Sequence, residues 1–305
     1  MKPARSIPVP EALAFLRSRY GDEVTDLAPV QRQGLWSSAF RFRRADEELV
    51  VRFSNVRENF ERDAFAARHA SAALPVPKIY EIGQAFGGHF AISAFAGGHF
   101  IDDVDGPEME RTLPSLLASL DTARAIDLST TTGYGYWDAD GRGVDETWQH
   151  LMLGGLSRWR GAVAASPVGL TSFDAGADRM MALMPFSPPI RHLVHSDLLH
   201  HNVLVEAGQV TAVLDWGSGF IGDFVHDIAW LTFWQPWYPK WDGIDIAAAA
   251  RAHYDATGLV VRDFAERLRC HELRIALSNQ EWFADRGDTV NLQKVAARTL
   301  ALAHA

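Results

Sequence analysis

Two hydrophobic patterns follow one another along this 305-residue chain, and the change between them limits the folds it can adopt. Up to about residue 95, the segments QRQGLWSSAFRFRR and EELVVRFSN alternate apolar with polar residues, which predicts two strands. KIYEIGQAFGGHFAISAFAGG predicts two further strands joined by a Gly-Gly turn. After Gly98 the apolar residues recur mainly at helical spacing.

Helices frame the early strands. Residues 10–20 begin with a proline and predict a first helix, and NFERDAFAARHASAAL predicts a second that ends before Pro75. The order of elements predicts an α+β fold with a small β-rich lobe at residues 1–96 and a larger, mainly helical lobe at 97–305. We expect the lobe boundary at the Gly97-Gly98 pair.

The composition is typical of a soluble globular protein, with 48% hydrophobic and 22% charged residues. Cys270 has no second cysteine to pair with, which excludes an internal disulfide and favours a reducing compartment. No apolar run reaches the ~18 residues that span a bilayer, and the N-terminal segment has no secretory signal pattern. We therefore expect a cytoplasmic protein with no membrane partner. We also expect a monomer, although nothing in the composition determines the oligomeric state.

The net charge of −9 arises entirely beyond residue 95, where Asp and Glu outnumber Lys and Arg; residues 1–95 carry a small excess of Lys and Arg. This excess argues against a nucleic-acid partner, which requires a basic surface. It suits a cationic small-molecule ligand, because a cleft of one sign concentrates the opposite charge. The alternative is that the acidity only maintains solubility.

The segment HSDLLHHN, residues 195–202, is followed thirteen residues later by Asp215 in VLDWG. Phosphoryl transfer to a hydroxyl needs a carboxylate that accepts the hydroxyl proton, oxygen ligands for Mg²⁺, and positive charge on the phosphates. A short hairpin between two β runs would bring Asp215 back beside Asn202, so that both can share a metal ion. Asp197 is then available to face the acceptor.

This pattern resembles the H-R-D…N and D-F-G segments of kinases. LVHSDLLHHNVLV and TAVLDW are similar to the aminoglycoside phosphotransferase family, and within it to the members that phosphorylate hygromycin B. HASAALPVPKIYEIG, DLSTTTGYG and WLTFWQPW extend the resemblance over most of the chain. The resemblance implies a protein-kinase-like two-lobe fold and an ATP-dependent kinase, with antibiotic resistance as its consequence.

By this resemblance Asp197 would be the catalytic base, Asn202 and Asp215 the Mg²⁺ ligands, and His195 a support of the loop. The alternative is that these are ordinary turn residues, but one site explains all of them at once. Two departures from the family pattern are Ser196 in place of Gly and Leu199 in place of His.

His200 and His201 raise the question of a zinc site. Adjacent histidines point to different faces, and neither a cysteine nor a third ligand lies nearby in the sequence. Zinc is therefore not expected.

The family holds its nucleotide, ATP or GTP, under a loop between the first two strands. Residues 34–38, which include Ser37 and Ser38, lie at that place, and small residues there let backbone N–H groups approach phosphates. An ordinary hairpin turn would look the same. We expect the adenine to bind backbone groups from Ser93 to Phe95.

The third-strand cation of the family would be Arg52, where kinases usually have lysine. Its helical partner is expected to be Glu61, with Glu58 and Asp63 as competitors. The alternative is an exposed strand Arg and an exposed helix Glu that have no ligand.

The acceptor site is less evident. Trp234 and Trp237 would stack on sugar rings, or alternatively pack in the core. Acidic candidates for binding ammonium groups are Asp102, Asp103, Glu281 and Asp285. The favoured alternative for each is a solvated surface charge. Asp223 and Asp227 lie four residues apart and are expected to hold the loop and a helix together.

These observations predict an ATP-dependent O-phosphotransferase of an aminoglycoside, with hygromycin B as the first candidate. Two alternatives remain open at this point. One is a kinase of the same fold that acts on a metabolite or macrolide hydroxyl. The other is an inert nucleotide-binding protein, against which the joint presence of Asp197, Asn202 and Asp215 argues.

Overall fold

The computed structural model describes residues 6–32, 34, 37–138 and 140–305. They form two compact units. Unit 1 comprises the residues up to Val104 together with Leu199–Ser218, and unit 2 comprises Asp105–Leu198 and Gly219–Ala305.

The described residues form the following strands and helices, each numbered along the chain. The strands are β1 (Val24–Pro29), β2 (Ser37–Arg44), β3 (Glu47–Ser54), β4 (Ile79–Ala85), β5 (Gly88–Ala94), β6 (His99–Phe100), β7 (Tyr134–Trp137), β8 (Gly143–Asp145), β9 (His192–Val194), β10 (Val203–Glu206), β11 (Gln209–Val213) and β12 (Phe220–Gly222). The helices are α1 (Val9–Tyr20), α2 (Arg57–Ala67), α3 (Gly106–Arg124), α4 (Trp148–Leu153), α5 (Leu156–Ala164), α6 (Thr171–Leu183), α7 (Val225–Trp234), α8 (Ile246–Thr257), α9 (Phe264–Asp285) and α10 (Thr289–His304).

A five-stranded antiparallel sheet with the order β1-β2-β3-β5-β4 forms the main part of unit 1. The four strands predicted from alternation and from the Gly-Gly turn are β2, β3, β4 and β5, and those predictions are confirmed. Gly87 adopts a φ of +77° in the tight turn between β4 and β5, where a residue without Cβ is favoured. Helix α1 confirms the helix predicted at residues 10–20.

One face of this sheet is covered by α1. Leu16 of the helix is buried in the same apolar cluster as Phe42, Val51 and Phe90 of the sheet. Burying a side chain of this size contributes about 1.5–3 kcal/mol relative to leaving it exposed. The apolar positions of β2 and β3 therefore fix which face of the sheet receives the helix.

Strand β1 was not predicted from the sequence. Its segment VTDLAP contains Asp26 at a φ of +55°, and the pairing with β2 shifts register between Thr25 and Ala28. A bulge of this kind breaks the alternation on which a strand prediction depends.

The sheet of β11, β10 and β6 completes unit 1. In β6, Phe100 pairs with Leu204 of β10, and the Thr211 hydroxyl donates to the carbonyl of Gly97 at 2.8 Å. Because of this pairing, residues 97–104 and 199–218 join unit 1, which differs from the division into 1–96 and 97–305 expected above.

Gly98 is the point where a side chain has no room. Its φ is +125°, and an added Cβ would lie 2.6 Å from Thr211 Oγ1 and 3.0 Å from the carbonyl oxygen of Val205. Gly97 has nothing within 4 Å of an added Cβ.

We expect Gly98→Ala to lower the free energy of unfolding by about 1–3 kcal/mol, because alanine there adopts a strained backbone conformation and contacts a carbonyl oxygen. Gly97→Ala is the matched control and should change that free energy by less than about 1 kcal/mol. Urea denaturation of both variants checks this. Equal losses from the two substitutions would contradict it.

Unit 2 is built around α9, against which α5, α6, α7 and α10 pack. A four-stranded sheet with the order β8-β7-β12-β9 lies in the same unit. Helix α3 confirms the helical pattern predicted after Gly98, and with the sheets of unit 1 it confirms the α+β class. None of the helices in the described part of the chain is both long and apolar enough to cross a membrane.

Strands β7 and β8 lie in the Gly- and Asp-rich segment at residues 130–147, which the sequence did not identify as β structure. Gly133 and Gly135 both have positive φ, with values of +67° and +77°. β7 has aromatic residues at Tyr134, Tyr136 and Trp137, but strands of four and three residues are too short to show a clear alternation, so this hairpin has little sequence signal.

A buried ion pair joins β12 and α9 inside unit 2. The guanidinium of Arg267 donates to both carboxylate oxygens of Asp223, at 2.9 and 2.6 Å, and Asp223 is fully buried. Burial opposes ionisation, but His271 and Arg267 hold the pKa of Asp223 well below its usual range. The pair is therefore charged at neutral pH and fixes the start of α7, whose Val225 N–H donates to Asp223.

Candidate active site

A cavity of about 750 Å³ lies within unit 1. Its wall is formed by β2, β3 and β5 of the large sheet, by residues 94–100, and by the ends of the β10–β11 hairpin. The volume is in the range of small-molecule sites, which are commonly about 300–1,000 Å³.

Most of the residues predicted to bind a nucleotide or metal line this cavity. They are Ser37, Arg52, Ser93, Phe95, Asn202 and Asp215. Ser38 and Glu61 are not among the described residues that line it. Successive residues of a strand point to opposite faces, so Ser38 does not point to the same side as Ser37. Its hydroxyl instead accepts a hydrogen bond from the N–H of Ile7 at 3.4 Å. Leu35 and Trp36 of the expected phosphate loop lie outside the described residues.

The partner of Arg52 is Asp63, and the prediction of Glu61 was wrong. Arg52 forms an ion pair with Asp63, while Glu61 accepts from Arg57 one helical turn earlier, at 2.7 Å. Asp63 lies three residues from both Phe60 and Ala66, which are buried, so it belongs to the inward face of α2. That apolar spacing is the signal that identifies the correct residue.

The same carboxylate has a second partner. One oxygen of Asp63 faces Arg52, and the other accepts the N–H of Trp216 at 2.7 Å, directly after Asp215. In addition, the Arg62 side chain donates to the carbonyl of Gly217 at 2.9 Å. Helix α2 thus holds both the strand cation and the segment that follows the expected metal ligand.

Arg52 remains positively charged beside these carboxylates. Burial alone would lower the pKa of its guanidinium, but the carboxylates of Asp63 and Asp215 raise that pKa above its usual value. Arg52 therefore presents a permanent positive charge to the cavity, as phosphate binding requires.

We expect Asp63→Asn to lower the free energy of unfolding by about 3 kcal/mol, since removing one partner of a buried ion pair leaves the other charge uncompensated. The asparagine oxygen can still accept from Trp216, so the loss reports the ion pair. Glu61→Gln, which removes an exposed partner from the same helix, should cost less than about 1 kcal/mol. Chemical denaturation gives both values, and a larger effect at residue 61 would refute the assignment.

Asn202 and Asp215 meet at the open end of the β10–β11 hairpin. Val203 pairs with Val213 in the ladder, and the N–H of Leu214 donates to the carbonyl of Asn202 at 2.7 Å. Both side chains line the cavity; Asn202 is buried and Asp215 is exposed at a φ of +53°. Together they offer one amide oxygen and one carboxylate, a donor set that fits Mg²⁺ with its remaining positions filled by water and phosphate.

Within the described part of the chain, no group of three or more His, Cys, Asp or Glu side chains is placed to hold a metal ion. The ring of His201 packs against Phe100, with centroids 5.1 Å apart.

The segment from His195 to Asp197 belongs to unit 2. His195 is fully buried, and its Nδ1 accepts the N–H of Asp197 at 3.2 Å. Asp227 of α7 accepts the N–H groups of His195 and Ser196 at 3.0 and 2.7 Å. Burial raises the pKa of Asp227, while these hydrogen bonds favour its ionised form. Asp223 lies before α7, so it does not share a helix face with Asp227.

Ser196, which departs from the family pattern, has a φ of +67°. Its hydroxyl lies 3.3 Å from Nε2 of His226, a buried histidine whose pKa is well below its usual value because of burial. The hydroxyl therefore contacts a neutral imidazole, a contact that glycine could not make.

In the segment from Ser93 to Phe95, where the adenine is expected to bind, two backbone N–H groups already have hydrogen-bond partners within the protein. The N–H groups of Ala94 and Phe95 donate to the carbonyls of Lys78 and Glu48, at 2.9 and 3.1 Å. The N–H of Ala96, which lines the cavity, has no hydrogen-bond partner among the described residues. Ala96 N–H is therefore a further backbone donor to consider beside the predicted Ser93 to Phe95 segment, which stays a prediction.

The acceptor candidates are differently situated. Trp234 is only 4% exposed and packs edge-on against Phe233 and Trp237, so it is a core residue rather than a sugar platform. Trp237 is half-buried.

The acidic candidates mostly have protein partners. Asp103 pairs with Arg32 at 2.9 Å in unit 1, and Glu281 pairs with Arg158 in unit 2. Burial raises the pKa of Glu281. Asp102 binds backbone N–H groups of unit 1, and Asp285 is exposed in unit 2.

Known proteins resemble this chain over most of its length. The family model described as "Phosphotransferase enzyme family" matches residues 30–267. Hygromycin-B 4-O-kinase of Escherichia coli is 31% identical over 269 residues, which cover 86% of this chain and 76% of that protein.

Two crystal structures give the same result. Aminoglycoside phosphotransferase APH(4)-Ia has a TM-score of 0.83 at 28% identity, covering 96% of this chain and 97% of that one. A thermostable mutant of it in a ternary complex with AMP-PNP and hygromycin B has a TM-score of 0.82 at 28% identity, covering 95% and 97%. These similarities confirm the predicted protein-kinase-like fold class.

Proposed function

The chain belongs to the phosphotransferase enzyme family, and we propose that it transfers the γ-phosphoryl group of ATP to a hydroxyl of an aminoglycoside antibiotic, with hygromycin B as the first candidate. The observation that carries the proposal is the cavity of unit 1, in which the Arg52–Asp63 pair, Asn202 and Asp215 lie together. Similarity to Hygromycin-B 4-O-kinase supports the choice of acceptor.

In the proposed mechanism the cavity holds the nucleotide. Arg52 supplies positive charge for the phosphates, and Asp63 fixes the direction of its guanidinium. Ala96 N–H offers a donor to the purine. Ser37 lines the cavity at the start of β2, where the phosphate loop is expected.

Asn202 and Asp215 would hold Mg²⁺. The ion would supply positive charge to offset the negative charge that develops during transfer. The two residues that this chain contributes are held by the β10–β11 ladder and by the Leu214–Asn202 hydrogen bond, so their spacing does not depend on the ligand.

Asp197 is the proposed base. Its carboxylate accepts the proton of the acceptor hydroxyl as the hydroxyl oxygen bonds to the γ-phosphorus and the bond to the β–γ bridging oxygen breaks, releasing ADP. Asp227 accepts the N–H groups of His195 and Ser196, and the His195 ring accepts the N–H of Asp197, so the backbone that carries Asp197 is held within the protein.

The proposed acceptor is a polycation. The excess of Asp and Glu beyond residue 95 favours its approach, and this attraction weakens as salt concentration rises. Most of the acidic candidates from the sequence have partners within the protein. We therefore assign a class of acceptor and no acidic residues that bind it.

We expect hygromycin B to stimulate ADP release strongly in a coupled assay with ATP and Mg²⁺. The panel should include other aminoglycosides, choline and homoserine, so that metabolite kinases of this fold are tested alongside. Stimulation by an amino alcohol and not by any aminoglycoside would overturn the proposed acceptor while leaving phosphoryl transfer intact.

Asp197→Asn should lower kcat by roughly 10²- to 10⁴-fold and leave KM for hygromycin B nearly unchanged, because general base catalysis acts in the transition state. Glu206→Gln removes an exposed carboxylate from the end of β10 and serves as the matched control with wild-type activity. Steady-state kinetics at saturating ATP give both constants. Retention of full kcat by the Asn variant would rule out Asp197 as the base.

We also propose that the protein acts as a monomer in the cytoplasm, where ATP is available. Light scattering coupled to gel filtration tests this, and an obligate dimer would contradict it.

A further inference from the structure

Asp102 was expected from the sequence to bind an ammonium group of the acceptor, but its contacts are of another kind. Its two carboxylate oxygens accept the N–H groups of His200 and His201, each at 2.9 Å. Asp102 is only 8% exposed, and a buried carboxylate requires such partners. All three residues belong to unit 1.

The backbone at these two histidines needs support. His200 and His201 have φ values of +63° and +74°, a left-handed conformation that is uncommon for residues with a side chain and consecutive here. Successive N–H groups in such turns form a concave donor surface for an anion. The Asp102 carboxylate lies against that surface and stabilises the turn.

The residue that follows the turn is Asn202. Beyond it, Leu204 of β10 pairs with Phe100 of β6, two residues before Asp102. The backbone is therefore held on both sides of Asn202. Asp102 binds the two residues before it, and the pairing with β6 holds β10 after it. Its own carbonyl accepts from Leu214.

We propose that Asp102 is a positioning residue for the metal site, which acts through the His200-His201 turn to hold the Asn202 side chain in the orientation that binds Mg²⁺. This inference rests on the proposed function of Asn202 as a metal ligand. It assigns Asp102 no contact with the acceptor.

Three substitutions separate the parts of this role. Asp102→Asn keeps one acceptor oxygen and places an NH₂ group against the second N–H. Asp102→Ala removes both acceptors, whereas Asp102→Glu restores the carboxylate on a longer side chain. Val24→Ala is the control, because it removes buried methyl groups from the core of unit 1 without touching the turn.

The primary measurement is Mn²⁺ binding in the presence of ADP, followed by electron paramagnetic resonance. We expect the dissociation constant to rise roughly 10- to 100-fold in Asp102→Asn and Asp102→Ala, as is usual when a residue supporting a metal ligand is lost. Asp102→Glu should recover part of the affinity. ADP binding without metal should be unchanged, and Val24→Ala should lower Tm without weakening Mn²⁺ binding.

Hydrogen exchange of the apo protein gives an independent readout. The amides of His200 and His201 should be protected in the wild type and should exchange faster in the Asn and Ala variants. Unprotected amides in the wild type would show that the hydrogen bonds are absent in solution and would overturn the inference. So would loss of protection together with unchanged Mn²⁺ affinity, or a wild type that binds no Mn²⁺ with ADP.

These outcomes are distinct from failure of the proposed function. If the wild type binds Mn²⁺ and ADP, and the variants weaken that binding as expected, the role of Asp102 stands even when no aminoglycoside is phosphorylated. If Asp102→Ala does not fold, the Asn and Glu variants still decide the question.

Discussion

The proposed nucleotide site depends on the two contacts that the carboxylate of Asp63 makes. One oxygen pairs with Arg52 of β3 and the other accepts the Trp216 N–H, which follows the expected metal ligand Asp215. A single buried group on α2 thereby ties a strand of the large sheet to the end of the β10–β11 hairpin. Because an unpaired charge in this position would be costly, the three segments are held in one arrangement. The cavity residues are therefore positioned by the fold before a nucleotide binds.

Buried carboxylates also hold the loop from His195 to Asn202, in the same way at each end. Asp227 accepts the N–H groups of His195 and Ser196 within unit 2, and Asp102 accepts those of His200 and His201 within unit 1. In both cases one carboxylate satisfies two successive backbone donors next to residues of positive φ. This explains how a loop with an unfavourable backbone conformation presents its functional side chains without regular secondary structure.

Local patterns predicted the strands β2 to β5, the helix α1 and the α+β class, and the resemblance to the family implied the cavity residues Arg52, Asn202 and Asp215. They failed where long-range contacts decide the outcome. Glu61 and Asp63 are both acidic residues of α2. The spacing of Phe60 and Ala66 places Asp63 on the buried face, but only the packing of that face against β3 pairs it with Arg52. Trp234 and Asp102 carried plausible ligand chemistry, but tertiary packing buried one and gave the other two backbone partners. β1 was not predicted because a bulge interrupts its alternation, and β7 and β8 were not predicted because strands of four and three residues are too short to show one.

The central claim is that this chain transfers a phosphoryl group from ATP to hygromycin B, and mass spectrometry of the antibiotic tests it most directly. After incubation with the wild type, ATP and Mg²⁺, we predict that hygromycin B gains the mass of one phosphoryl group, with one ADP formed per product. The Asp197→Asn protein under the same conditions should leave the antibiotic unmodified. Unmodified hygromycin B after incubation with the wild type, with ADP forming at the same rate whether or not the antibiotic is present, would contradict the claim.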